Sequence, residues 1–428
     1  MSATLVLIGL LVLLALGVPV GFAMLITGSI GLYALVGFDA LQGVLDSSPL
    51  SVASAFEFLT IPLFLLMAEF VLRSGKVDDL FRTTAAWVGE LRGGLGMATA
   101  LAGAGFGAIC GTSTASAATL SATSLPAMIR QGYHPSFAAG VVAISGTLAM
   151  LIPPSVAMIV YGLLANVDIG KLLIAGILPG LLVMGTIIAT VYVLATRHPE
   201  HAPSAGHVSW TEKLAMLRSV LPIFILFGVV TCVIYLGVAT PTEAAAVGAS
   251  GAFLLMAACG RLTRTNLFQA LQRAAHGSAM IIVILIGATV FGYFFALTQV
   301  TQDLVRWVGA LNVAPWVILT CILFGYIVLG AFLDQIAILV LTVPVVVPLV
   351  ASFDYDLIWF GVLVIVTAEL GMVTPPVGLN CFIVARYANR PLAEVFRGVA
   401  PHFLAHVIAI ALLALMPQIT LLLPSLMK

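Results

Sequence analysis

The chain has 428 residues, 62% of them hydrophobic and only 8% charged, with a mean hydropathy of +1.20. Soluble domains carry roughly 25% charged residues, so this composition belongs to an integral membrane protein. Seventeen basic residues balance seventeen acidic ones, which excludes a nucleic-acid-binding surface.

A bilayer span needs about 20 apolar residues, and short cytoplasmic loops collect Lys and Arg. The N-terminus lacks a basic leader and its apolar run is too long for a signal peptide, so no cleavage is expected. Residues 5–36 end outside and read either as one kinked span or as two short ones around Gly17-Val18-Pro19. Asp39 and Asp46 are assigned to an outer loop, and residues 56–72 then run inward to the basic stretch 73–92. Arg92 and Arg130 both read as cytoplasmic, yet about 35 mostly apolar residues separate them. That length fits a re-entrant hairpin over 93–128. Residues 137–163 run outward, 172–196 return, and 197–218 form a basic cytoplasmic linker. Spans follow at 219–237, 241–259 and 277–297. A second hairpin over 312–353 then enters from the opposite face, followed by 357–386 inward and 400–423 outward.

Five spans separate the hairpins, and an odd number turns the second upside down. The expected fold is therefore an all-α polytopic inverted repeat, with 1–196 and 219–428 as its halves. A shift of 222 residues supports it: Pro126 falls on Pro348, Tyr133 on Tyr355, Ser145 on Thr367, and Pro153-Pro154 on Pro375-Pro376. Near the same offset, Asp79-Leu80-Phe81-Arg82 echoes Asp303-Leu304-Val305-Arg306. These short amphipathic pieces could brace a moving part.

The two Pro-Pro pairs fall inside apolar runs, AISGTLAMLIPPSV (143–156) and IVTAELGMVTPPVG (365–378). Proline removes a backbone donor and clashes with the preceding turn, so both helices must open there. Freed backbone groups are tolerated in a membrane only against protein or water, and paired breaks of this kind mark a transporter's binding site. Each hairpin tip adds helix ends. Its carbonyl end suits a small cation such as Na⁺, and the N-terminal end of its returning half suits an anion. The first tip, Gly111-Thr112-Ser113-Thr114-Ala115-Ser116, also offers hydroxyl oxygens, although Ser and Thr are common at helix interfaces in membranes. The second tip holds Asp334, a cation ligand, a proton carrier, a cap for the returning helix, or more than one of these.

Among the other acids, Glu369 could line the site or order the broken helix. Glu243 follows Thr240-Pro241-Thr242 as a capping box, and Glu69 lies one turn before Arg73 as a helix-face ion pair. The five cysteines show no disulfide or metal spacing, and the histidines of the linker read as solvated. No nucleotide-binding loop is present, nor any pairing of a nucleophile with a base, so an intramembrane enzyme is remote. No cofactor is expected beyond a coupling cation.

These residues resemble the large membrane subunit of the tripartite ATP-independent periplasmic (TRAP) transporters along essentially the whole chain. The resemblance rests on Gly111-Thr112-Ser113, Pro126, Gly132-Tyr133, Ser145-Gly146-Thr147, Ile152-Pro153-Pro154-Ser155, Ala239 through Ala244, Asp334, and GMVTPPVGLN at 371–380. It implies an elevator-type, Na⁺-coupled importer of organic anions such as C4-dicarboxylates or sialic acids in the bacterial inner membrane. The implied partners are a small four-helix membrane subunit and a periplasmic substrate-binding protein. The implied cation ligands are Gly111, Thr112, Ser113, Gly146, Ile152 and Pro153 in one site, and Asp334, Gly371, Thr374 and Pro375 in the other. Thr112, Ser113, Ser155, Thr374 and Asn380 are the expected substrate contacts. A stand-alone Na⁺ or H⁺ carboxylate symporter of the same architecture is the rival reading. Two departures from the family pattern stand out: Thr112 where Ser is usual, and Ala149 where Gly is frequent, which narrows the room near the first break.

Overall fold

The computed structural model describes residues 3–311 and 313–427, and its regular elements are helices. The N-terminal run resolves into two helices, α1 (Ala3–Ala15) and α2 (Val20–Ser54). A turn at Gly17 and Pro19 folds them against each other, so that Gly9 meets Thr27. The outer loop expected around Asp39 and Asp46 is instead helical, because α2 resumes after an interruption at Gly37. α3 (Thr60–Arg73) and the amphipathic α4 (Val77–Val88) follow.

The first hairpin is α5 (Gly94–Cys110) and α6 (Ser113–Arg130). The first broken helix is α7 (Pro135–Gly146), a 3₁₀ turn over Thr147–Met150, and α8 (Val156–Ala165). α9 (Ile169–Ala175) and α10 (Ile177–Arg197) close the first half, kinked at Gly176. The kink is where the chain passes the first break: a Cβ on Gly176 would fall 2.4 Å from the Leu151 carbonyl.

The second half runs α11 (Trp210–Tyr235), α12 (Pro241–Ala258), α13 (Arg264–Thr298) and the short α14 (Val300–Gly309). The second hairpin is α15 (Pro315–Gly330) and α16 (Gln335–Ala351). The second broken helix is α17 (Leu357–Gly371) and α18 (Leu379–Ala388), and α19 (Leu392–Leu415) and α20 (Pro417–Ser425) finish the chain. α11 starts inside the stretch assigned to the linker, because Ser209 caps it by accepting the Glu212 amide. The expected capping box at Thr240 and Glu243 is present, as is the Glu69–Arg73 pair at 3.3 Å.

Helix length separates two classes of element. At 1.5 Å per residue, the 35 residues of α13 reach about 50 Å, well beyond a hydrocarbon core of about 30 Å. The hairpin arms have only 16 to 18 residues and reach about 24–27 Å, while the half-helices are shorter still. Packing is reciprocal between the halves, as an inverted repeat requires. α2 lies on α13 while α3 lies on α12, and α6 lies on α18 while α16 lies on α8.

The two faces follow the charge pattern. On the basic face the linker is stitched across the first hairpin and α7: Gly93 N–H donates to Ala202 O (3.1 Å), Ala205 N–H to Gly89 O (2.8 Å) and His134 N–H to His201 O (2.9 Å). On the opposite face the Tyr161 hydroxyl at the far end of α8 donates to Leu357 O at the start of α17 (2.8 Å).

Candidate functional site

Each hairpin tip closes on the broken helix that follows it. In the first half, α5 ends at Gly111 with φ +60°, a left-handed conformation that suits glycine. The same glycine admits the break at close range, since a Cβ there would lie 2.9 Å from the Pro154 carbonyl. The Val156 amide, first in α8, donates to the Gly111 carbonyl (3.4 Å). In the second half, the Gly378 and Val377 amides donate to the Ala331 carbonyl (3.2 and 3.3 Å). Val156 and Gly378 are related by the 222-residue shift, so one join is built twice. The tips differ in length. Gly111 and Thr112 are adjacent as cap residues, whereas Phe332 and Leu333 separate Ala331 from Asp334.

The breaks share a backbone pattern. Leu151 and Ile152 amides return to Leu148 O, and Val373 and Thr374 amides return to Leu370 O and Gly371 O. Both Pro-Pro bonds are cis. Among the described residues, the carbonyls of Ile152, Pro153, Thr374 and Pro375 accept no hydrogen bond. Free carbonyl oxygens grouped at a helix break are hard donors of the kind a small cation takes. The surroundings differ: Pro153 and Pro154 are buried, while Pro375 through Val377 are exposed. The second break opens into a cavity of about 240 Å³ that Thr374 and Pro375 share with Phe396, Ala400 and Phe403 of α19.

The sequence-predicted residues divide accordingly. Gly111 meets Pro154 and Val156 at the first join, and Ile152 and Pro153 lie in the same break; Gly371, Thr374 and Pro375 lie at the second. Gly146 packs on Ala117 of α6, one turn past the first tip. Asp334 is exposed, and its Oδ1 accepts the Ala337 amide at 2.7 Å, so it caps α16. The Ser155 hydroxyl is committed within the break, donating to Met150 O (2.6 Å) and accepting the Met158 amide (3.3 Å). Thr374 Oγ1 donates back to Leu370 O (2.7 Å). Thr112 is half-buried and makes no capping bond with its side chain. Ser113 crosses between the halves, with Oγ 3.8 Å from Met372 Sδ. Asn380 is sealed, its amide donating to Met372 O (3.1 Å) and its side-chain atoms unpartnered among the described residues.

Met372, the Ala331 carbonyl and the Val156 amide were not singled out from the sequence. The 222-residue shift would have found Val156, because it pairs with a glycine just after the second Pro-Pro. Ala149 takes up its extra methyl beside Gly107, whose own Cβ would fall 2.8 Å from Ala149 Cα. In the second half the helices meet glycine to glycine, at Gly330 and Gly371.

Two inverted hairpins closing on two interrupted helices define a multi-pass membrane transporter. The family described as the tripartite ATP-independent periplasmic transporter, DctM component, matches residues 7–419, and the chain belongs to it. It is similar to the C4-dicarboxylate TRAP transporter large permease of Pseudomonas aeruginosa, with 32% identity over 86% of each chain. Its identity to the sialic acid large permease of Vibrio cholerae is also 32%, over 98% of this chain and 97% of the other. With the ectoine/5-hydroxyectoine large permease of Ruegeria pomeroyi it is 30%, over 100% and 99%. In fold it resembles the crystal structure of the Alcanivorax borkumensis YdaH transporter (TM-score 0.65, 17% identity, 90% of each chain).

Proposed function

We propose that this chain is the permease of a Na⁺-coupled importer of small organic anions in a bacterial inner membrane. It takes substrate from a periplasmic binding protein and works beside a small four-helix membrane subunit. The observation that carries the reading is the set of unpaired carbonyls at Ile152, Pro153, Thr374 and Pro375, each beside a hairpin tip. A cation at each join neutralises these carbonyl ends. The cations, the amides that open α6 and the hydroxyls of Thr112 and Ser113 then favour an anion between the tips. The hairpin tips contain neither Arg nor Lys, so the anion's counter-charge comes from the bound cations and helix ends. The compounds named for the relatives, a C4-dicarboxylate, a sialic acid and ectoine, all carry a carboxylate.

Transport follows an elevator: the hairpins and broken helices move as one body against α2, α3, α12 and α13. The test is uptake of labelled carboxylates into vesicles holding the permease and small subunit, with binding protein outside. Uptake is expected only with an inward Na⁺ gradient and with the binding protein. Equal uptake without the gradient removes the coupling, and uptake without the binding protein identifies a stand-alone symporter.

A further inference from the structure

Glu369 lies on α17, fully sealed, and both carboxylate oxygens lack a hydrogen-bond partner among the described residues. Ser113 at the first tip reaches the next turn along, its Oγ 3.8 Å from Met372 Sδ. Asn380, bonded through its backbone to the same Met372 that Ser113 touches, is sealed beside this turn with Oδ1 and Nδ2 unpaired. Among the described residues, no Lys or Arg pairs with Glu369. Tyr161 from α8 and Tyr326 from α15 spend their hydroxyls on Leu357 O and Thr342 Oγ1, and α19 contributes His402 and His406. The 222-residue shift puts Thr147 where Glu369 stands and Met158 where Asn380 stands. Thr147 satisfies itself on Ile144 O. The carboxylate is therefore an addition to the repeat, not part of its common plan.

A carboxylate sealed without a partner is strongly unfavourable and is resolved either by holding its proton or by taking a counter-cation. One carboxylate among hydroxyl and amide oxygens matches a hard monovalent cation better than a divalent one. We propose that Glu369, with Ser113 and Asn380, forms a further Na⁺ position between the first hairpin tip and the second broken helix, distinct from the carbonyl sets at the two tip–break joins. A cation there ties a tip from one half to a break from the other. The inference rests on the Na⁺-coupled reading above.

The test compares wild type and Glu369→Gln at one fixed pH in two ways: Na⁺ titration of uptake by the complete transporter in vesicles, and the Na⁺-induced rise in melting temperature of the purified permease–small-subunit complex. The variant is expected to need at least about tenfold more Na⁺ for half-activation, to lose about one unit of Hill coefficient, and to show a smaller Na⁺-induced rise. Should Glu369→Gln not fold, Glu369→Asp, which keeps the charge at shorter reach, is expected to raise the half-activating Na⁺ and keep the Hill coefficient. Wild-type Na⁺ dependence in both readouts for the variant that folds overturns this position and leaves the coupling intact. A wild-type protein indifferent to Na⁺ overturns both.

Discussion

At the residue scale, Asp334 has one role in view, a helix cap, and one proposed, a cation ligand, and two substitutions separate them. Its carboxylate caps α16, a contribution of about 1 kcal/mol that asparagine supplies nearly as well. Asp334→Asn therefore keeps the cap and removes the charge, while Asp334→Ala removes both. If Asp334 binds a cation, both variants lose uptake, and only Asp334→Ala melts earlier. If it is a cap alone, Asp334→Asn transports like wild type. Ser155 is a second case. The sequence shows a serine beside a diproline and suggests a substrate contact. The structure commits its hydroxyl to Met150 O and the Met158 amide, so Ser155→Ala is expected to cost about 1 kcal/mol of stability. A melting experiment alongside substrate affinity checks it, with the loss appearing in the first.

At the element scale, what was legible in the sequence is what prolines, charges and spacing control. Diprolines force a helix open whatever surrounds them, so both breaks were readable, and the 222-residue shift related them. The ends of α2 and α11 were not readable, because Asp39, Asp46 and the polar stretch before Ser219 look like loop by composition while helix capping and tertiary packing override them. The α7–α19 crossing was equally hidden, since it depends on two glycines 258 positions apart in contact: a Cβ on Gly398 would fall 1.9 Å from Ser136 O, and one on Gly140 would fall 2.2 Å from the Gly398 carbonyl carbon. Gly398→Ala is expected to separate these helices at about 1–3 kcal/mol, seen as a lower melting temperature. The linker offers a pH test. Glu90 takes Lys213 Nζ at 2.8 Å and the Val208 amide at 3.2 Å, with His207 Nδ1 3.0 Å away. Those bonds, Lys213 first, hold its carboxyl down to about 2 from an ordinary 4.5. A depressed folded value means the clamp is fully present above about 4.5 and fades as the pH falls towards 2. Trp87 and Trp210 sit edge to face at 5.9 Å beside it. Their fluorescence is expected to change over that window in the wild type, and Glu90→Gln is expected to remove that change.

At the scale of the whole molecule, the packing separates a group of long helices from a group of short ones. The long helices α2 and α13 meet backbone to backbone, since a Cβ on Gly21 or Gly28 would lie about 3 Å from the Ile284 or Phe291 main chain. Such a seam is suited to a fixed frame. The hairpins and half-helices instead bond to one another through tip carbonyls and break amides, which suits a body that travels intact. Between the groups, on the face away from the basic linker, lies a cavity of about 470 Å³ lined by Glu57, Thr60 and Thr240 on one side and Asn166 and Asp168 on the other. An elevator must change the distance across this cavity in every cycle, whereas a fixed pore need not. With the native cysteines replaced, Glu57→Cys and Asn166→Cys together can be bridged by a short bifunctional thiol reagent. Bridging is expected to stop Na⁺-driven uptake, with reducing a disulfide-containing bridge restoring it, and neither single variant responding. Full uptake by a completely bridged protein would mean that the two groups do not move past each other here.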